Sequence, residues 1–274
     1  MALDPTDMVA FFKMLRSNLG IEMALDKEYL LTSRLTPLAK LNGYPNLAAF
    51  LKAMISTPVG PMHADAFEAM TTKETYFFRD AHPFEALKTV ILPNIIEARK
   101  LSRQLSIWSA ASSTGQEAYS IAMLLNEHFP QLLYWNVKIL ATDISDIALA
   151  KARSGVYSAT EVSRGLTPPQ IENNFNAQTD GTFSLKENIR SNVTFQNLNL
   201  MDSFFGLPSF DLILIRNVLI YFEQTTRMDI LKKVSTVLAK RDGCLMLGAS
   251  ESILENNPFK QVNLPKCSYF MALK

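Results

Sequence analysis

The sequence is short of cysteine and of net charge, and each shortage excludes a class of protein. Its two cysteines, Cys244 and Cys267, are too few for a disulfide framework and are not spaced as zinc ligands. Lysine and arginine total 27 against 26 aspartate and glutamate, so the formal net charge of +1 creates no field that attracts nucleic acid or membranes. We therefore predict no metal site and no nucleic-acid partner, and we favour a protein or small-molecule partner.

Long apolar segments and targeting signals are also missing. No run of about 18 apolar residues occurs, which predicts no membrane insertion. The first ten residues, MALDPTDMVA, lack the basic region and apolar stretch of a secretory signal, so we expect a cytoplasmic protein. What the chain does have is 274 residues with 48% hydrophobic content, enough for one large domain or two smaller ones.

Residues 1–72 are predicted to form an N-terminal helical domain with its linker. Asp7 is the expected N-cap of a first helix, and Gly20 ends it. A second helix starts near Asp26 and is bent or ended near Pro37. Further helices are expected over about 46–55 and up to about residue 71.

The second predicted domain, residues 73–274, alternates strand-like apolar runs with helical segments. That alternation predicts a mostly parallel sheet flanked by helices. The apolar runs lie at 105–110, 137–142, 193–198, 210–215 and 244–248, and the helical segments lie at 117–129 and 224–239.

One interval, residues 155–192, interrupts the alternation. Pro168-Pro169 marks a possible helix start, and Asp180-Gly181 lies between two segments that can pair as a hairpin. We interpret the interval as an inserted β-subdomain, with a long surface loop as the alternative.

The segment SIWSAASSTGQEAYS (106–120) passes from an apolar strand through a turn of small residues into a helix. Small side chains let a ligand approach the backbone, as in the nucleotide sites of doubly wound folds. Gly115 is its only glycine, and Glu117 at the helix start repels a pyrophosphate but suits an ammonium group. An adenosine that carries an amino acid therefore fits better than a dinucleotide, and an ordinary tight turn is the alternative.

Four other positions suggest a binding crevice. Asp143 ends the next predicted strand, where a carboxylate commonly accepts hydrogen bonds from ribose hydroxyls, or it caps the following helix. After the strand at 210–215, Asn217 and Tyr221 can hold a substrate beside a reactive methyl group, although Tyr221 is also compatible with the core. Arg79 can steer an acidic substrate or be a solvated surface charge.

Together these segments resemble the chemotaxis receptor glutamate methyltransferases, the CheR-type family, over nearly the whole chain. The shared motifs occur in the family's order and approximate spacing: KEYLLTSRL (27–35), FFRD (77–80), GQEAYS (115–120), ATDIS (141–145) with SGVY behind it, NLNLMD (197–202), RNVLIYF (216–222) and DGCLMLGASES (242–252). The resemblance implies an α/β fold, a Rossmann-like mixed sheet typical of S-adenosylmethionine-dependent methyltransferases. An N-terminal all-helical domain and an inserted small antiparallel β-subdomain complete it.

The resemblance also implies roles for individual residues. Thr75 and Arg79 are expected near the methionine end of S-adenosylmethionine, and Asn199 and Leu200 near its adenine. Arg79 and Tyr221 are the implied catalytic residues, with Arg79 orienting the substrate carboxylate and Tyr221 near the transferred methyl. The full set of implied cofactor-binding residues is Lys73, Thr75, Arg79, Glu117, Asp143, Asn199, Leu200, Arg216 and Asn217.

The implied reaction is methyl transfer to glutamate side chains on the cytoplasmic helical bundle of methyl-accepting chemoreceptors. Its products are glutamate methyl esters and S-adenosylhomocysteine. Receptor recognition is implied for the helical domain, with Lys27 and Arg34 as candidates. The Asp180-Gly181 turn lacks the glycine-rich extension of members that tether to a receptor's C-terminal peptide, so we expect no tether. We also expect a monomer.

One departure from the family pattern leaves an alternative function open. Lys73 stands where the family typically has asparagine, and a positive charge near a sulfonium is unfavourable. The alternative is a non-catalytic relative that acts as a signalling scaffold.

Two other enzyme classes fit the sequence less well. A nucleic-acid methyltransferase is disfavoured by the near-neutral charge and by Gln170 after Pro168-Pro169, where an aromatic residue would be needed. An NAD-dependent oxidoreductase is disfavoured because Glu117 repels a pyrophosphate.

Overall fold

A computed structural model describes residues 3–253 and 257–273. Its internal contacts divide the chain into two compact units. The first comprises Met1–Thr72 with Tyr221–Arg227, and the second comprises Lys73–Ile220 with Met228–Lys274. No helix among these described residues is long and apolar enough to span a membrane.

The first unit is helical. Its helices are α1 (Pro5–Leu19), α2 (Glu28–Leu41), α3 (Leu47–Ser56) and α4 (Pro61–Met70), with a short 3-10 helix at Leu25–Lys27. The side chain of Asp4, and not that of Asp7, caps α1 by accepting a hydrogen bond from the Thr6 N–H, because the helix already begins at Pro5. Gly20 ends α1 with φ of 73°, a left-handed conformation that glycine adopts without strain.

The second helix continues past the proline that was expected to interrupt it. The sequence predicted that this helix is bent or ended near Pro37. Pro37 lies inside α2, which runs on to Leu41, so the predicted end is wrong, and the bend stays a prediction. The apolar faces of the four helices form the core of the unit. Its buried side chains include Met8, Phe11, Leu15, Leu31, Leu35, Phe50, Leu51, Met54 and Phe67.

A seven-stranded mixed sheet forms the centre of the second unit. Its strands are β1 (Gln104–Ala110), β2 (Asn136–Asp143), β6 (Val193–Asn197), β7 (Leu212–Ile215), β8 (Cys244–Leu247), β9 (Phe259–Asn263) and β10 (Ser268–Ala272). They lie in the order β6-β2-β1-β7-β8-β10-β9. The first five are parallel, whereas β10 pairs antiparallel with both β8 and β9. All residues of β7 and β8 are buried, as expected for central strands covered on both faces.

Helices and a smaller sheet surround the parallel strands. The helices are α5 (His82–Ala86), α6 (Leu92–Arg99), α7 (Gln116–His128), α8 (Asp146–Ser154), α9 (Ala159–Ser163), α10 (Pro168–Asn174), α11 (Glu187–Arg190) and α12 (Gln224–Val237), whose first residues count with the first unit. A π-helical turn at Leu87–Ile91 and 3-10 helices at Pro130–Tyr134 and Leu219–Tyr221 complete the set.

The interval at 155–192 contains a second, antiparallel sheet of three strands. These are β3 (Val156–Ser158), β4 (Phe175–Ala177) and β5 (Thr182–Leu185), and Asp180-Gly181 turns the chain between the last two. Strand β5 lies in the middle, between β3 and β4. Pro168 begins α10, as the sequence predicted. The surface-loop alternative is therefore wrong, and the predicted α/β fold class with its helical domain and inserted β-subdomain is confirmed.

Candidate functional site

The parallel strands β1, β2, β6, β7 and β8 end at one edge of the large sheet, and most of the predicted site residues follow those ends. The turn after β1 has three residues with left-handed φ, namely Ala111, Ser113 and Gly115. A side chain at Gly115 would place its Cβ 2.9 Å from the Ala152 Cβ, so only glycine fits there. The turn of small residues is thus a tightly wound backbone segment that leads directly into α7.

Asp143 is the last residue of β2, and its carboxylate is directed toward backbone N–H groups of two loops. One oxygen accepts from Ser113 N at 2.7 Å, and the other accepts from Ser145 N at 2.9 Å. Ser145, and not Asp143, is the N-cap of α8, since the Ser145 hydroxyl accepts from Ala148 N. The capping alternative for Asp143 is therefore wrong, and the carboxylate lies beside the small-residue turn.

Glu117 and Arg216 form a buried ion pair at the same edge. Glu117 lies in the first turn of α7, and its carboxylate accepts from Ser109 Oγ at 2.8 Å and from Arg216 Nη1 at 2.9 Å. Arg216 follows β7, and its Nη2 donates to Asp80 Oδ2 and to the Arg79 carbonyl, both at 2.9 Å. The Arg216 side chain is only 1% exposed, so one buried cation joins two carboxylates.

The segment from Lys73 to Asp80 is bound to this turn through its backbone. The Lys73 carbonyl accepts from Ser113 Oγ at 2.9 Å. The Arg79 guanidinium donates to the Glu74 carbonyl at 2.7 Å and lies 5.6 Å from the centre of the Tyr76 ring. Thr75, which lies between Glu74 and Tyr76 in the sequence, is half-buried. Arg79 therefore has local partners at the surface, and its role toward a substrate stays a prediction.

The residues expected near adenine lie in the loop after β6. Asn199 Oδ1 accepts from Met201 N at 2.9 Å, and Leu200 is buried. Lys233 of α12 donates to three successive carbonyls of this loop, those of Leu200, Met201 and Asp202, at 2.6, 3.0 and 2.7 Å. Burial lowers the pKa of Lys233. No local pattern in the sequence indicates this role.

Asn217 lies next to Arg216 with φ of 59°, a left-handed conformation that asparagine tolerates better than most residues. Its backbone N–H donates to Glu251, a residue that the sequence analysis did not single out. Tyr221 ends the 3-10 helix that follows and counts with the helical unit, where its carbonyl accepts from Glu22 N at 2.9 Å. Its catalytic role stays a prediction.

The small sheet contacts the turn after β1. Tyr157 of β3 donates its hydroxyl to the Thr114 carbonyl at 2.7 Å, and burial raises the pKa of that hydroxyl well above its usual value. The rings of Tyr157 and Phe175 pack edge to face on Phe77. The inserted β-subdomain is thus part of the support beneath the small-residue turn.

The two candidates for receptor recognition lie in the helical unit. Lys27 pairs with its neighbour Asp26 at 3.3 Å. Arg34 donates to the Met70 carbonyl at 2.7 Å and to Thr72 Oγ1 at 3.3 Å, so it caps the carboxyl end of α4. Arg34 therefore has a structural role, and contact of either residue with a receptor stays a prediction.

The edge of the sheet fits a cationic amino acid joined to a nucleoside. Arg216 supplies one positive charge and Glu117 with Asp80 two negative charges, which leaves an excess of negative charge for an ammonium group. Asp143 offers carboxylate oxygens for hydroxyl donors. Within residues 3–253 and 257–273, Ser112 Oγ and Arg216 Nε are buried polar atoms at this edge without a hydrogen-bond partner, as expected where a ligand completes the bonding.

Comparison with known families agrees with this geometry. Residues 73–268 match the model of the CheR methyltransferase SAM-binding domain, and residues 6–71 match that of the CheR methyltransferase all-alpha domain. S-adenosylmethionine is therefore the cofactor of the large unit.

Curated relatives match the chain over most of its length. Chemotaxis protein methyltransferase 1 of Pseudomonas aeruginosa is 40% identical over 266 residues, which cover 96% of this chain and 95% of the relative. The chemotaxis protein methyltransferase of Vibrio parahaemolyticus is 40% identical over 246 residues, 89% of this chain and 88% of the relative. That of Escherichia coli is 35% identical and covers 85% of this chain and 79% of the relative. The chain belongs to the CheR family of S-adenosylmethionine-dependent chemotaxis protein methyltransferases.

Proposed function

We propose that this chain transfers the methyl group of S-adenosylmethionine to glutamate side chains on the cytoplasmic helical bundle of chemoreceptors. The products are glutamate γ-methyl esters and S-adenosylhomocysteine. The observation that carries the proposal is the buried Arg216 with its two carboxylate partners, Glu117 and Asp80, beside Asp143 at the carboxyl edge of the sheet.

In this proposal each residue at the carboxyl edge binds a different part of the cofactor. Glu117 receives the amino group, because its carboxylate is held in place by Ser109 and Arg216. Asp143 receives the ribose hydroxyls, and the loop of Asn199 and Leu200 lies by the adenine. The remaining proposed contacts are Lys73, Thr75, Arg79 and Asn217. The cofactor supplies an electrophilic methyl group on a sulfonium.

The acceptor needs no general base. A glutamate with an ordinary pKa of about 4.3 is ionised at neutral pH and is already a nucleophile. His63, the one buried histidine among the described residues, has its ring nitrogens hydrogen-bonded to Gly60 N and the Met54 carbonyl. Rate enhancement then rests on alignment, which in favourable cases supplies roughly 7–11 kcal/mol.

The proposed catalytic residues align the acceptor. Arg79 orients the substrate carboxylate from a guanidinium that the Glu74 carbonyl partly holds, which limits how tightly Arg79 pairs with the acceptor. A tight ion pair would lower the nucleophilicity of the carboxylate, so this restraint favours transfer. Tyr221 is proposed to lie near the transferred methyl.

The proposed partner is the cytoplasmic helical bundle of a receptor, and the helical unit recognises it. Strands β4 and β5 are joined by only residues 178–181, which supports recognition without a peptide tether. We propose a cytoplasmic monomer. The names of the relatives, all chemotaxis protein methyltransferases, support this choice of partner.

The test is transfer of a radiolabelled methyl group from S-adenosylmethionine to receptor-enriched membranes. Mild alkali then hydrolyses carboxyl esters and releases volatile labelled methanol. We expect base-labile label in the receptor band, and none in a receptor whose acceptor glutamates are replaced by alanine.

Two results would contradict the proposal. Alkali-stable label would indicate methylation of nitrogen or another group. Binding of S-adenosylhomocysteine without transfer to receptors from the same organism would favour the scaffold.

A further inference from the structure

Glu251 holds two loops of the carboxyl edge together through a single carboxylate. Its Oε2 accepts from Asn217 N at 2.8 Å and from Gly248 N at 2.6 Å. Its Oε1 accepts from Val218 N at 2.9 Å and from Leu219 N at 2.7 Å. The donors come from the loops after β7 and β8, which are adjacent parallel strands.

The turn after β7 needs an anion at this position. Asn217 adopts a left-handed conformation, and three successive N–H groups, those of residues 217–219, therefore point at one place. Buried N–H groups without acceptors are costly, and a carboxylate satisfies several of them with charge-assisted bonds. The conformation of the turn thus depends on Glu251.

Gly248 shows how tightly the two loops fit. A Cβ at this position would lie 2.7 Å from Glu251 Oε2, 2.8 Å from Asn217 N and 3.0 Å from Asn217 Nδ2. No side chain is tolerated between the carboxylate and the turn, because two of these neighbours are parts of the fixed hydrogen-bond cluster. The close approach of the two loops therefore depends on both Gly248 and Glu251.

The turn that Glu251 fixes carries proposed site residues. Arg216 immediately precedes the three N–H groups, and its guanidinium reaches Glu117 Oε2 and Asp80 Oδ2, each at 2.9 Å. A change in the backbone at Asn217 moves the Arg216 Cα, and through it the carboxylate proposed to receive the cofactor's amino group.

We propose that Glu251 is a positioning residue for the cofactor site, acting through Asn217 and Arg216 without touching the cofactor. The inference rests on the proposed roles of Glu117 and Arg216 in the methyl-transfer site. Within the part of the chain that the structure describes, the hydrogen-bond donors to this carboxylate are all backbone N–H groups.

The test is the full-length Glu251→Gln variant. An amide has one acceptor oxygen and presents an NH2 group to the other donors, so at least two N–H groups lose their acceptor. We expect its affinity for S-adenosylhomocysteine, measured by calorimetry, to fall by about tenfold or more. Glu251→Asp keeps the charge on a shorter side chain and should recover part of the loss.

Asp211→Asn is the matched control. Asp211 precedes β7 at its other end, where it accepts from Arg99 Nε at 2.7 Å and from Ser106 N at 2.9 Å. The same carboxylate-to-amide change there should lower the melting temperature while leaving the affinity for S-adenosylhomocysteine unchanged. A purely structural role for Glu251 predicts this pattern for Glu251→Gln too.

The outcomes are separable. If folded Glu251→Gln binds S-adenosylhomocysteine within about twofold of wild type, far below its melting temperature, the positioning role is wrong. If Glu251→Gln does not fold, the affinity of Gly248→Ala for S-adenosylhomocysteine is compared with that of wild type by the same twofold criterion. This variant keeps the carboxylate, but its added Cβ would lie too close to Asn217 N. Failure of the proposed function instead appears in wild type, as binding without methyl transfer to receptors.

Discussion

The two edges of the large sheet differ in how their buried charges are paired. The parallel strands begin at the amino edge and end at the carboxyl edge. At the amino edge, Arg99 and Asp211 form one pair, so one positive and one negative charge cancel. At the carboxyl edge, Arg216 pairs with both Glu117 and Asp80, so one positive charge faces two negative charges. The first arrangement is complete within the protein and stabilises the fold. The second keeps an excess of negative charge, in accord with the proposed binding of the cofactor's ammonium group.

The largest effect is expected from breaking the carboxyl-edge network at its centre. Arg216→Met leaves Glu117 and Asp80 without their cation, and removal of one partner of a buried pair costs about 3–5 kcal/mol. Urea unfolding should show a loss of this size, and binding of S-adenosylhomocysteine should be lost with it. Arg241→Met is the control, because its side chain is 91% exposed. If the free energy of unfolding falls by less than about 1 kcal/mol, Arg216 does not stabilise the two carboxylates.

A smaller change sharpens the contrast within the carboxyl edge. Glu117→Gln retains acceptor and donor atoms for its protein neighbours but removes the charge that is proposed to receive the ammonium group. We expect affinity for S-adenosylhomocysteine to fall by about 2 kcal/mol, roughly 30-fold, measured by calorimetry. Glu127→Gln, on the same helix with a half-exposed side chain, should bind normally. Equal affinities of the two variants would remove Glu117 from the site.

The amino edge should respond in the opposite way. Asp211→Asn leaves one acceptor oxygen for two donors, so either the bond from Arg99 Nε or the bond from Ser106 N is lost. We expect a loss of about 1.5 kcal/mol in the free energy of unfolding. Methyl transfer measured well below the melting temperature should be unchanged. A drop in affinity for S-adenosylhomocysteine without loss of stability would end the distinction between the edges.

The smallest effect concerns the loop after β6, which is proposed to lie by the adenine. Lys233→Met removes a cation that donates to the carbonyls of Leu200, Met201 and Asp202, and it should weaken cofactor binding by about 1 kcal/mol, roughly fivefold. Lys232→Met is the neighbouring control, since that side chain is 66% exposed and pairs only at 3.4 Å with Asp229. If both variants bind alike, the loop holds its shape without Lys233.

Much of the sheet could be predicted because its strands are apolar runs bounded by polar turns. The five predicted strands and the helices α7 and α12 all occur within two residues of their expected bounds. Strands β9 and β10 were not predicted, because each mixes exposed and buried residues without a regular alternation. The helix also does not end at Pro37, since packing of Leu31, Leu35 and Ala39 keeps α2 helical beyond it.

The site was predictable as a set of positions but not as a network. Small residues before Glu117 and an acidic end to β2 are local patterns, so Glu117 and Asp143 could be singled out. The bond between Arg216 and Glu117 joins residues 99 positions apart, and that between Asn217 and Glu251 joins residues 34 positions apart. Such pairs depend on strand order, which no local pattern specifies, and for that reason Glu251 was missed.

The hydroxyl of Tyr157 on the carbonyl of Thr114 has a consequence for how this chain tolerates change. An ordinary surface insertion can be deleted because it makes no contacts that the rest of the fold needs. Here deletion of the small sheet would remove a hydrogen bond from the backbone of the small-residue turn and expose the ring of Phe77. Shortened forms of this chain that lack the insertion should therefore lose the cofactor before they lose the large sheet.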